Sequence, residues 1–278
     1  MLGSIARYLF RLWVLFQFHV SLALVSFYAL ITWSAAMDFS VSYACFLFVS
    51  GFTGYHLIRL VNLKHNRAFI REFYRKNAGL LLVLLAVSSI CWFYEVKVSA
   101  SSMEYRLLLP FAIALLYSPG KFLPYIRLRE IGFLKILLVA TVWALLITWV
   151  PWGSRFITWL WFPPVFFMVI MLIIPFDIRD LSMDPEALRT LPQVFREKTF
   201  WIAFLLGMIL ILYLLSLYSC DRTDALSLTV WATGALLTLL AIKFAPRFSG
   251  DYYFPAFWVE GIPVFMAGMY MALSWLTN

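Results

Sequence analysis

The chain has 278 residues, 64% of them hydrophobic and only 13% charged, with a mean hydropathy of +0.88. A soluble domain sits near half apolar and a quarter charged, so these values exclude one and make the chain an integral membrane protein. Its apolar runs lack period-2 alternation, which excludes a barrel in favour of helices. The net charge of +8 reads as a topology signal rather than as a nucleic-acid surface.

A crossing takes about 20 apolar residues, and nine candidate runs follow in order: roughly 13–36, 41–63, 78–97, 103–118, 131–150, 156–175, 199–219, 225–244 and 253–276. The first has no small-residue cleavage site and is long enough to cross, so it is read as a helix and not a signal peptide. After the second comes LKHNRAFIREFYRK, residues 63–76, whose alternating cationic and aromatic residues predict an interfacial helix on anionic lipid. The fourth run is short, with Arg106 near one end and Pro110 inside. The connections leave no room for a soluble unit, so residues 1–278 form one transmembrane helical domain. Cys45, Cys91 and Cys220 show no paired spacing and read as buried packing residues.

The 22 Lys and Arg residues sort by side. All but four, Lys97, Arg106, Arg155 and Arg222, fall on the face that holds the N-terminus. That asymmetry predicts a multi-pass protein of the inner, cytoplasmic membrane with its N-terminus in the cytoplasm.

On the same face lies IIPFDIRDLSMDPEALRTLP, residues 173–192. Asp177, Asp180 and Asp184 fall at i, i+3 and i+7, so a continuing helix would stack them on one face. At ~6 Å and an effective dielectric of ~20, each adjacent pair would repel by roughly 3 kcal/mol. A cation is expected there. Clustered carboxylates suit Mg2+, which takes one or two of them and completes its shell with substrate phosphate. Asp177 also begins directly after an apolar run, where an unpaired carboxylate is costly.

DIRDLSMD followed by RTLP resembles the second aspartate-rich motif of the UbiA superfamily of intramembrane prenyltransferases, D-x-x-D-x-x-x-D with a trailing K/R-T-x-P. LLYSPGKFLPYIRLREIGFLK, residues 115–135, resembles the family's segment between helices four and five. The resemblance implies an all-α, UbiA-like bundle of about nine transmembrane helices. It implies transfer of an isoprenyl group from a polyprenyl diphosphate to an aromatic or other small-molecule acceptor, in a cavity open to membrane lipid. Mg2+ would be held by Asp177, Asp180 and Asp184, with Asp180 and Asp184 also read as catalytic. Lys121, at the family's basic loop position, would contact the diphosphate.

The first motif departs from that pattern. Where the family carries N-D-x-x-D-x-x-x-D, this chain reads YHLIRLVNL, residues 55–63, placing His56 and Arg59 at the first two aspartate positions. In one reading Arg59 replaces a metal by contacting the diphosphate directly, with His56 as a further contact. In the other, Arg59 forms a salt bridge with Asp177 or Asp180 and closes the site to metal. Glu260, an ionisable residue inside the ninth run, is a further site candidate, and His19 and His65 read as packing or interface residues. Two rival functions remain at this point: a non-catalytic UbiA-like binder of lipid or diphosphate, and a transporter. A CDP-alcohol phosphotransferase is set aside, because DIRDLSMD lacks its glycine and its Ala-Arg.

Overall fold

The computed structural model describes residues 2–61, 67–98, 101–117, 133–182 and 188–277. Every regular element among them is helical. The long helices are α2 (Phe18–Ser34), α3 (Val41–Val61), α5 (Ala78–Val98), α6 (Ser101–Tyr117), α7 (Leu134–Trp152), α8 (Phe156–Asp180), α10 (Thr199–Ser219), α11 (Ala225–Phe244) and α12 (Ile262–Thr277). Three shorter helices join them: α1 (Leu2–Leu15), α4 (Ala68–Lys76) and α9 (Leu191–Phe195).

Each of the nine apolar runs carries one long helix. Consecutive long helices are neighbours, and α12 closes back onto α2, so they form a ring. Length and composition support fewer crossings than nine. Six helices among the described residues are long and apolar enough alone, and up to eight when each bent pair is one span. The helix on the fourth run, α6, has 17 residues, at the lower limit for a crossing.

Both bent pairs have a local cause. Gln17 takes a left-handed conformation (φ 60°) and its amide donates back to the Val14 carbonyl, so α1 turns 61° away from α2. The first run is therefore two helices. At Asn77 the amide donates to the Phe73 carbonyl as α4 meets α5 at 77°. Helix α4 is amphipathic as expected: Ile70 and Tyr74 are buried while Arg71, Glu72, Arg75 and Lys76 are exposed. Such a helix suits the headgroup layer.

Apart from the water-expelling effect, lipid-facing helices associate through close packing. Here α2 and α3 meet at Gly51, where an added Cβ would lie 3.2 Å from the Ser21 Cα. The core between the helices is aromatic and branched, with Phe27, Trp161 and Trp231 fully buried. The cysteines depart from expectation. All three are exposed, which on α3 and α5 puts Cys45 and Cys91 on an outer surface rather than in the core.

Candidate functional site: a cavity with a cationic mouth

The ring encloses a cavity of about 1640 Å³. Most of its wall is apolar, from residues such as Leu24, Phe46, Trp92, Leu107 and Val169. One end is polar. There Arg59 (α3), Arg67, Lys135 (α7), Asp177, Arg179 and Asp180 (α8), Tyr252 and Glu260 share the lining. An amphiphile with an anionic head matches both halves.

The two aspartates are already engaged. Asp177 is 1% exposed, and its Oδ1 accepts from Lys135 Nζ at 2.8 Å. Asp180 sits in the guanidinium fork of its neighbour Arg179, which donates Nε to Oδ1 at 2.7 Å and a terminal nitrogen to Oδ2 at 2.6 Å. Arg67 reaches Asp180 Oδ1 at 3.4 Å and donates its other terminal nitrogen to the Gly250 carbonyl at 2.7 Å. The aspartates do meet cations, as the i, i+3 repulsion requires. Their ion-pair partners among the described residues include Lys135, Arg179 and Arg67, so the aspartates are balanced without the Arg59 salt bridge of the second sequence reading.

Arg59 lines the same cavity. It donates to the Tyr252 hydroxyl at 2.5 Å and to the Leu15 carbonyl at 3.3 Å. The Tyr252 ring lies 5.9 Å from the Arg59 guanidinium and 5.3 Å from that of Arg179, close enough for cation–π attraction to both. Four cations thus share the mouth with two aspartates. Glu260, on the turn between the π-helical segment Phe254–Val259 and α12, adds a third acid to the wall.

His56 is not part of the cavity lining. It is fully buried beneath the mouth, with Nε2 donating to the Phe16 carbonyl at 2.9 Å and Nδ1 2.7 Å from the Tyr74 hydroxyl. Both ring nitrogens are spent on packing α1 and α4 against α3. His19 behaves alike, bonded to Trp13 and to the Phe257 carbonyl. Helix α8 ends at Asp180, with Leu181 and Ser182 in a turn, so it does not run on unbroken toward Asp184 as expected. Asp184 and Lys121 lie outside the described residues, as do His65, Arg127 and Arg129.

Among the described residues no three His, Cys, Asp or Glu side chains gather to hold a metal. One feature does fit a cation: Asp177 Oδ2 is buried with no hydrogen-bond partner. Mg2+ needs only one or two carboxylates when phosphate and water complete its shell, so the residues fit a single ion at Asp177. They do not offer the symmetric pair of acidic sites that the family resemblance implies.

The sequence reading passed over Lys135, Arg67, Arg179 and Tyr252. Two of them carried a signal. Arg179 stands inside the D-I-R-D motif itself, and Lys135 closes the segment matched to the family's loop.

No family model matches the sequence, and no curated protein does. Solved structures do match. The chain is similar to the apo structure of a UbiA homologue from Aeropyrum pernix K1, at 14% identity and a TM-score of 0.65 over 92% of this chain and 97% of that one. It is also similar to a UbiA homologue from Archaeoglobus fulgidus bound to GPP and Mg2+, at 15% identity and a TM-score of 0.62 over 95% and 99% of the two chains. Nearly the whole ring is shared at an identity too low to carry side-chain roles, and the chain has the UbiA fold.

Proposed function

We propose that the protein is a UbiA-superfamily prenyltransferase that binds a polyprenyl diphosphate in this cavity and transfers the isoprenyl group to a small-molecule acceptor. The observation that carries the reading is the division of one cavity into a cationic mouth and a long apolar body. The diphosphate would sit against Arg59, with Lys121 as a second contact, and the isoprenyl chain would run along the apolar wall. His56, bonded to Phe16 and Tyr74, would support this site by holding the end of α1 and α4 against α3 rather than by contacting the diphosphate. The mouth would face the cytoplasm, in keeping with the basic side of the sequence.

In such a transfer the allylic C–O bond breaks and the diphosphate departs with the electron pair. A Mg2+ ion held by Asp177, with Asp184 as a further ligand, would draw off charge developing on that leaving group. Arg59 does the same work as a fixed guanidinium. Aromatic faces such as Phe46 and Trp92 suit the cationic allylic carbon left behind, and the apolar wall keeps water from it.

A second reading, a non-catalytic binder of the same ligand, is favoured by the pairing of both described aspartates with cations. One experiment separates the two. Purified protein is incubated with radiolabelled geranylgeranyl diphosphate, Mg2+ and a lipid extract of the source membranes. Labelled product together with released diphosphate supports transfer. Bound but unconverted donor supports the binder. A protein that retains neither donor nor product overturns both.

A further inference from the structure

We infer that Arg59, Arg67 and Arg179 bind the phosphate-bearing end of the ligand without needing a metal ion, that Asp180 is the internal anion it displaces, and that Mg2+ at Asp177 serves the transfer step rather than the binding. This deepens the prenyl diphosphate reading and rests on it.

The geometry around Asp180 is that of a filled anion site. Arg179 grips it with two parallel N–H···O contacts of 2.7 and 2.6 Å, the fork-to-fork arrangement that guanidinium makes with carboxylate and phosphate alike. Arg67 approaches the same oxygen only to 3.4 Å, beyond the usual range of a hydrogen bond. Its far branch is anchored on the Gly250 carbonyl, so its near branch is positioned toward Asp180 at the long end of an ion-pair contact. Arg59 is braced by Leu15 and Tyr252, and the Tyr252 ring is within 6 Å of both the Arg59 and the Arg179 guanidinium. Three guanidinium groups from α3, the α4 leader and α8 therefore surround one region of the mouth. Asp180 supplies one negative charge to that region, with Glu260 on the same wall. A diphosphate would supply more charge and more oxygens in the same planar match.

The competing assignment makes Asp180 a metal ligand. To ligate an ion, Asp180 would have to leave the Arg179 fork, and the ion would then face Arg179 and Arg67 at short range with like charge. Any metal is better placed at Asp177 Oδ2, whose partner Lys135 is on the other oxygen. The two assignments give opposite signs for one substitution. If Asp180 ligates metal, Asp180→Asn weakens ligand binding. If it is the displaced anion, Asp180→Asn tightens it.

The test is titration of geranyl diphosphate into the purified, detergent-solubilised full chain, in EDTA and in Mg2+. Expected are similar affinities in both buffers, tighter binding by Asp180→Asn in EDTA, and a loss of about tenfold or more in Arg67→Gln and Arg179→Gln, the scale of one charge-assisted hydrogen bond. Binding that needs Mg2+, or that Asp180→Asn abolishes, overturns the inference while the prenyl diphosphate reading stands. No binding in either buffer overturns both. The comparison of buffers uses the unmodified protein, so it decides even if a variant fails to fold.

Discussion

Replacing Lys135 with Met tests the electrostatics of the mouth most directly. Lys135 Nζ lies 2.8 Å from Asp177 Oδ1, and the carboxylate is 1% exposed. At that distance and an effective dielectric of ~20 the attraction is about 6 kcal/mol. Desolvating both ions offsets much of it, so the pair as a whole contributes little net stability. Removing one partner is different, because Asp177 stays buried with its charge uncompensated, at a cost of about 3–5 kcal/mol. Among the described residues Asp177 Oδ2 already lacks a hydrogen-bond partner. In a chain of this size each kcal/mol moves the midpoint by about 2–4 °C, so Lys135→Met should lower the unfolding temperature in detergent by roughly 10 °C. The double variant Lys135→Met/Asp177→Leu should recover most of that fall, since an apolar pair of similar volume commonly replaces a buried ion pair without loss. A single variant that melts within ~2 °C of the parent, or a double variant no better than the single, would refute the buried-charge argument. The same single variant offers a second reading: Mg2+ should stabilise it more than the parent, because both oxygens of Asp177 are then open to the ion.

His56→Leu should cost about 1–3 kcal/mol, seen as a lower melting midpoint, because it strands the buried Phe16 carbonyl and removes one partner of the Tyr74 hydroxyl. Geranyl diphosphate affinity of the folded fraction should not change; a selective loss of affinity would return His56 to the binding site. Gly51→Ile should destabilise by about 1–3 kcal/mol in thermal melts, since its Cβ would meet Leu24 Cδ1 at 2.8 Å and the Ser21 Cα at 3.2 Å and the backbone atom cannot rotate away. Asp224→Ala should cost about 1 kcal/mol by removing the helix cap in which Asp224 Oδ1 accepts from the Ser227 amide at 2.7 Å; Asp224→Ser should restore most of it.

Composition and hydropathy decided the class of this protein, because so apolar a chain belongs in a membrane, where the backbone must be helical or a closed barrel, and the runs lack a barrel's alternation. The nine apolar runs marked where long helices form among the described residues, though length and composition support six to eight crossings, and the alternating 63–76 stretch marked the amphipathic helix α4. The bend at Gln17 escaped notice because a left-handed non-glycine residue carries no signal in an apolar pattern. Motif spacing placed Asp177 and Asp180 together on one helix end and required cations beside them. Which cations could not be read, because the partner of Asp177 comes from α7, 42 residues earlier, and Arg67 reaches Asp180 across 113. Likewise His56 stood at a motif position yet points into the packing between α1, α3 and α4. Spacing along a chain fixes only which side chains share a face. How the helices close into a ring decides which faces meet, and in this protein that closure turns a row of aspartates into a cation-lined mouth.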